Sequence, residues 1–155
     1  MNKRASAVLL VATLCLGLAA CKHEPKPDKD GVFMVVAGNL LELPEVSIDQ
    51  EFTEEGFAIN FFSGDPKIGV RTGDFYFIFS GDYQPYGLRA FVRVGMRWEQ
   101  DSGQTDLTSN LRVGGMEDEK KMHKGTLTKP LKAGTYIIDV QRQNGRIQAF
   151  AFVIE

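Results

Sequence analysis

Apolar and polar positions divide the chain into three unequal parts. Residues 5–20 are small and apolar almost without break, with Leu9, Leu10, Val11 and Leu14 at their centre. Residues 22–30 reverse this, with three Lys, three acidic residues, two Pro and no large apolar side chain. From Gly31 onward, short β-prone runs alternate with turn residues. Residues 32–37 read as a buried strand, Gly38-Asn39 as a hairpin turn, and residues 40–43 as the return strand, stopped by Pro44. The acidic stretch 42–55 has no clear period and reads as a strand fragment at 46–48 plus loop.

The triplets Ser63-Gly64-Asp65, Thr72-Gly73-Asp74 and Ser80-Gly81-Asp82 then recur at intervals of nine and eight residues. Turn signals at that interval, with β-prone runs between them, mark an all-β sandwich or barrel. Residues 75–79 (Phe-Tyr-Phe-Ile-Phe) are apolar on both faces and predict a central strand. Residues 88–98 alternate. Leu88, Ala90, Val92, Val94, Met96 and Trp98 point one way, and Arg89, Phe91, Arg93, Gly95 and Arg97 the other. That pattern predicts one long strand with a core face and a wet face. Residues 101–124 are polar, with room for one short helix at 105–112 capped by Thr105 or Asp106. Residues 126–131 lead through Lys132-Ala133-Gly134 to strands at 135–142 and 147–154, which are joined through Asn144-Gly145 in a loop longer than two residues.

The first apolar block is preceded by Lys3 and Arg4 and is too short for a typical membrane-spanning helix. It has the anatomy of a secretory signal. Its end, Leu18-Ala19-Ala20-Cys21, resembles the lipobox of bacterial lipoproteins. The resemblance implies removal of residues 1–20, a diacylglycerol thioether on Cys21, and acylation of the new amino group. Several acyl chains on one residue give stable anchoring where one chain does not. Lys22 stands where such proteins carry an inner-membrane retention Asp, so the resemblance implies the periplasmic face of the outer membrane. Residues 21–30 then form a lipidated, extended tether. At about 3.1 Å per residue it lifts the domain roughly 25–30 Å from the lipid. Residues 31–155 form one domain. Within it, residues 130–136 (Pro-Leu-Lys-Ala-Gly-Thr-Tyr) resemble the segment before a late strand of immunoglobulin-like domains. The expected fold is an antiparallel β-sandwich, loosely immunoglobulin-like, with at most one short helix.

Removing Lys3 and Arg4 leaves 16 basic against 20 acidic side chains, a formal charge of −4. That balance argues against nucleic acid as a partner. With Cys15 in the leader and Cys21 lipidated, the domain has no cysteine for a disulfide, a nucleophile or a zinc site. There is no P-loop or dinucleotide fingerprint, so no cofactor is expected. His123 is the one His of the domain; it reads as a solvated loop residue and lacks a nucleophile elbow to serve. Asp65 and Asp82 would share one end of a meander, but without a full cation-ligand loop no metal is expected. The acids of residues 42–55 read as a solvated face.

Two surfaces remain. Arg89, Arg93 and Arg97 fall on one face at steps of about 13 Å, with Phe91 between the first two. Arg beside an exposed aromatic suits a protein or anionic-glycan interface, while pairing with cross-strand acids is the plainer alternative. The loop at 81–87 carries Tyr83 and Tyr86 around Pro85, either as binding anchors or folded back over the core. The expectation is a non-catalytic binding or assembly module, anchored to the membrane by lipid, with an envelope protein or glycan as partner. The alternatives are a small envelope hydrolase using His123 or a carboxylate pair, and an inhibitor lipoprotein using the Tyr83–Tyr86 loop.

Overall fold

The computed structural model describes residues 23–71, 73–104, 107–116 and 119–155. The strands are β1 (Gly31–Val36), β2 (Asn39–Glu42), β3 (Glu45–Val46), β4 (Asp49–Phe52), β5 (Ala58–Ser63), β6 (Gly69–Val70), β7 (Phe75–Ser80), β8 (Gln84–Val94), β9 (Arg97–Gln100), β10 (Leu111–Met116), β11 (Glu119–Leu127), β12 (Gly134–Gln141) and β13 (Ile147–Ile154). The first sheet runs β10-β11-β7-β1-β2 and the second β3-β13-β12-β8-β9-β5-β4. Their pairings are antiparallel; β6 alone of the described strands adds in parallel, beside β13. The molecule is therefore the antiparallel β-sandwich that the turn spacing predicts.

The order of strands is immunoglobulin-like. β1, β7, β11 and β10 stand in the A, B, E and D positions, and β13, β12, β8 and β9 in those of G, F, C and C′. The tyrosine of residues 130–136 forms the matching corner: Tyr136 is buried, and its Oη donates to the Lys132 carbonyl at 2.8 Å. With no cysteine to pin the sheets together, an aromatic cluster fills the centre. Phe77 meets Phe152 edge-on at 5.3 Å, and Tyr136 stacks on Phe152 at 5.6 Å. Gly125 is needed beside them, since a Cβ there would lie 2.8 Å from the Phe79 ring.

The departure lies between β1 and β7. Val46 ends β3 and Asp49 begins β4, so the chain between them spans at most about 11 Å. Yet these strands end opposite edges of the second sheet, which if flat would be about 29 Å apart at about 4.8 Å per strand. The sheet must curl until its edges meet. Its far face becomes the inside of a half-barrel, where Phe62, Phe91, Ile137, Ala149 and Ala151 pack with Val46, Ile48 and Trp98. The layers are thus the first sheet, the β13-β12-β8 wall, and the β3–β5 wall.

Several local expectations change. The first hairpin turns on Ala37-Gly38, both at positive φ, and Asn39 already belongs to β2. Residues 88–98 are a hairpin, not one strand: Val94 pairs with Arg97, and Gly95 (φ 62°) and Met96 make the turn. The alternation misled because a two-residue turn inverts it: Arg97 shares a face with Val94, and Trp98 with Arg93. Met96 is 90% exposed, Val92 and Val94 are exposed, and Phe91 is buried. The region 101–124, read as polar with room for one short helix, holds β10 and much of β11; β7, central as predicted, needs a neighbour on both edges and takes β11. The predicted helix shrinks to a 3-10 turn at Thr108–Asn110, next to Leu107; Thr105 and Asp106 lie outside the described residues. Asp65 and Asp82 stand at opposite ends of β8, paired with Arg93 and Arg142.

The tether also differs. Residues 23–30 lie against the outer face of the first sheet: Glu24 pairs with Lys124, Lys26 with Glu119 at 2.9 Å, and Lys29 with Glu42 at 2.6 Å, while Pro27 is buried. That face is apolar beneath them, with Phe33, Val35, Ile78 and Met116 buried together. An extended spacer would leave this cluster to water.

Candidate functional site

Five strands of the curled sheet each place one polar side chain on its inner face, forming a single hydrogen-bonded row. Gln50 Nε2 donates to Asn60 Oδ1 at 3.0 Å, and Asn60 Nδ2 to Gln100 Oε1 at 3.0 Å. Arg89 Nη1 donates to the same Gln100 oxygen at 3.1 Å. Arg89 Nε and Nη2 then grip both oxygens of Asp139, at 2.6 and 2.7 Å. The Asp139 side chain is 8% exposed. A cleft of about 360 Å³ opens beside this pair, rimmed by Glu45, Asp49, Arg146, Ile147 and Gln148. Gln148 Nε2 donates to Glu45 at 2.8 Å. The cleft is polar and of mixed charge, and its floor is a bidentate ion pair with Nε and both terminal nitrogens of the guanidinium engaged.

The three arginines do not form one surface. Arg89 and Arg93 face the half-barrel, with Phe91 buried between them, while Arg97 projects to the other side of the sheet, opposite Val94. Arg93 lies over Trp98 at 5.5 Å and pairs with Asp65. Arg97 lies over Phe61 at 4.2 Å and pairs with Glu51 and Glu99. Hydrogen bonds from Arg97 hold the Glu51 carboxyl below its ordinary range, and the arginine is raised in turn. The plainer alternative for the arginines, pairing with acids, is what the structure contains.

The tyrosines separate. Tyr83 packs on Phe150 at 6.0 Å beneath the Arg142 guanidinium, 4.0 Å from its ring centre, so it caps the core. Arg142 also holds Asp82 at 2.6 Å, and that hydrogen bond lowers the Asp82 pKa. Tyr86 is 61% exposed at the β8 bulge. His123 is not a loop residue. It lies on β11 opposite Phe79 and Gly115, half-buried, with its Nδ1 buried and without a hydrogen-bond partner among the described residues. Cys21 lies outside the described residues.

Sequence reasoning missed the β4–β5 hairpin. Its tip is locked: Thr53 N donates to Phe57 O and Gly56 N to Thr53 O, both at 2.9 Å, and Phe57 N donates to Thr53 Oγ1 at 3.1 Å. Phe52 and Phe57 flank the tip, 68% and 71% exposed, among the exposed acids Asp49, Glu51, Glu54 and Glu55. Thr53 three residues before Gly56 was the available signal, hidden by the acidic composition. The other miss, Asp139, was visible as a lone acid in an apolar strand.

No family model matches the chain, and neither the curated proteins nor the solved structures contain a match.

Proposed function

We propose that the protein is a lipid-anchored envelope protein, held through Cys21 at the periplasmic face of the outer membrane, and that it acts as a non-catalytic binding or assembly module. The observation that carries the binding role is the β4–β5 hairpin. Two large aromatic side chains stand in water on a turn held by three hydrogen bonds, so docking them costs little ordering entropy. Aromatic anchors of this kind dominate protein interfaces. The flanking carboxylates favour a partner with basic groups around an apolar depression. The Arg stripe supports this role poorly, because its members are engaged with acids of the same chain. An inhibitory role would use the same hairpin, in place of the Tyr83–Tyr86 loop, since Tyr83 is turned into the core.

A photoreactive amino acid at position 57, in cells carrying the acylated protein, tests the reading. A discrete adduct that disappears when the label is moved to exposed Thr126 is expected. Absence of any adduct, together with an unaltered envelope on deletion, would refute it. The anchor is tested separately: Cys21→Ser should move the protein from the membrane fraction to the soluble one.

A further inference from the structure

We infer that the outer face of the first sheet, crossed by residues 23–30, is the surface that lies against the phospholipid headgroups, and that the β4–β5 hairpin points away from the membrane. The inference rests on the lipid anchor proposed above and adds an orientation to it.

The first argument is reach. Glu24 is fixed to Lys124 on β11, on the same face as Tyr76, whose ring lies 4.1 Å from the Lys124 Nζ. Cys21 is three residues earlier in the sequence, and three residues reach at most about 11 Å. The stand-off of a free spacer is gone, and the acyl chains must enter the bilayer close to β10 and β11. The second argument is the shape of that face. Lys124 pairs with Gly114, and Thr126 with Arg112, so the outer side of β10 presents Arg112 beside a glycine whose Cβ position is open space. A basic side chain next to a low backbone ridge suits a flat phosphate layer. The third is the distribution of acids. Glu24, Glu42 and Glu119 on this face are each paired with a lysine, with Asp28 and Asp30 exposed in the crossing segment, whereas Asp49, Glu54 and Glu55, and Glu51 paired with Arg97, sit in the opposite layer. An anionic surface turns that layer away. With two inter-sheet spacings of about 10 Å each, the hairpin stands about 20 Å farther from the lipid than β11 does. The Phe52 and Phe57 side chains are then presented to the periplasmic space.

The domain has no cysteine of its own, so a thiol placed in it is unique once Cys21 is acylated. Thr126→Cys and Glu54→Cys both replace exposed side chains. Each acylated full-length variant is labelled with a fluorophore and inserted in phosphatidylethanolamine–phosphatidylglycerol vesicles carrying a headgroup spin-label quencher. Quenching severalfold stronger at position 126 than at 54 is expected. Lys124→Ala, which removes the partner of Glu24, should shrink the difference. Acyl mass and vesicle retention are measured on the same samples. Missing acyl mass overturns the anchor and this inference with it. Acylated, retained protein with equal quenching at both positions overturns the orientation alone, and a difference untouched by Lys124→Ala overturns the Glu24–Lys124 pair as what sets it.

Discussion

Asp139→Ala should be among the most damaging single changes in the half-barrel. It removes both oxygens that Arg89 grips and leaves the guanidinium with Gln100 alone. Breaking a buried pair by deleting one partner costs about 3–5 kcal/mol, and since the Arg89 side chain keeps 23% exposure, water offsets some of this. The expected loss is about 3 kcal/mol. Arg89→Met should cost at least as much, because it strands Asp139, the more buried partner. The double variant Arg89→Met/Asp139→Leu exchanges the pair for packed hydrocarbon and should fall within about 1 kcal/mol of the parent. Urea unfolding of the chain with Ser at position 21 reads these values. With an m-value of about 1.5 kcal/mol/M, each single change lowers the midpoint by about 2 M. With Asp139→Leu as the matching single variant, expected to lose about 3 kcal/mol as well, the cycle should yield a coupling of about 5 kcal/mol. Simple additivity, or single shifts below about 0.5 M, would mean that the pair behaves as a solvated surface contact. The account of the polar row would then be wrong, and Arg89 would return as a candidate ligand group.

Three further outcomes are expected. Tyr136→Phe should lower stability by about 1–2 kcal/mol in the same assay, through the unmet Lys132 carbonyl, without changing the far-ultraviolet circular dichroism. Phe91→Ala should cost about 3–5 kcal/mol, as for a buried aromatic, whereas a Phe on a wet sheet face would cost almost nothing. The third concerns acid. Glu51 and Asp82 are held below their ordinary pKa in the folded state, so the unfolded chain takes up their protons first as pH falls. Their contribution is complete above the ordinary carboxylate range near 4 and is lost as pH drops through the lowered folded values. Thermal melts should therefore be level from neutral pH down to that range and fall below it. The fall should be shallower in Arg97→Gln, which lacks the partner of Glu51.

What could be read from the sequence alone was whatever depends on neighbours a few residues away. The positive-φ glycines at 64 and 81, the Asn144-Gly145 loop and the doubly apolar run of β7 declare themselves locally, since turn geometry and strand burial are short-range constraints. Together with the segment ending in Tyr136 they define an immunoglobulin-like sandwich before any contact is known. The tertiary structure decided which face of each strand is covered. Phe91 and Arg89 read as wet because alternation reports two faces without saying that both can be buried; the curl joining β3 to β4 buries the second. Residues 101–124 read as polar and without a strand because β10 and β11 are strands by demand of β7, not by propensity. Residues 23–30 read as a free spacer because their composition suits one. Only the apolar outer face of the first sheet, assembled from strands more than 80 residues apart, gives them somewhere to lie. Periodicity is a property of a segment, whereas closure of a sheet and the covering of a face belong to the whole chain.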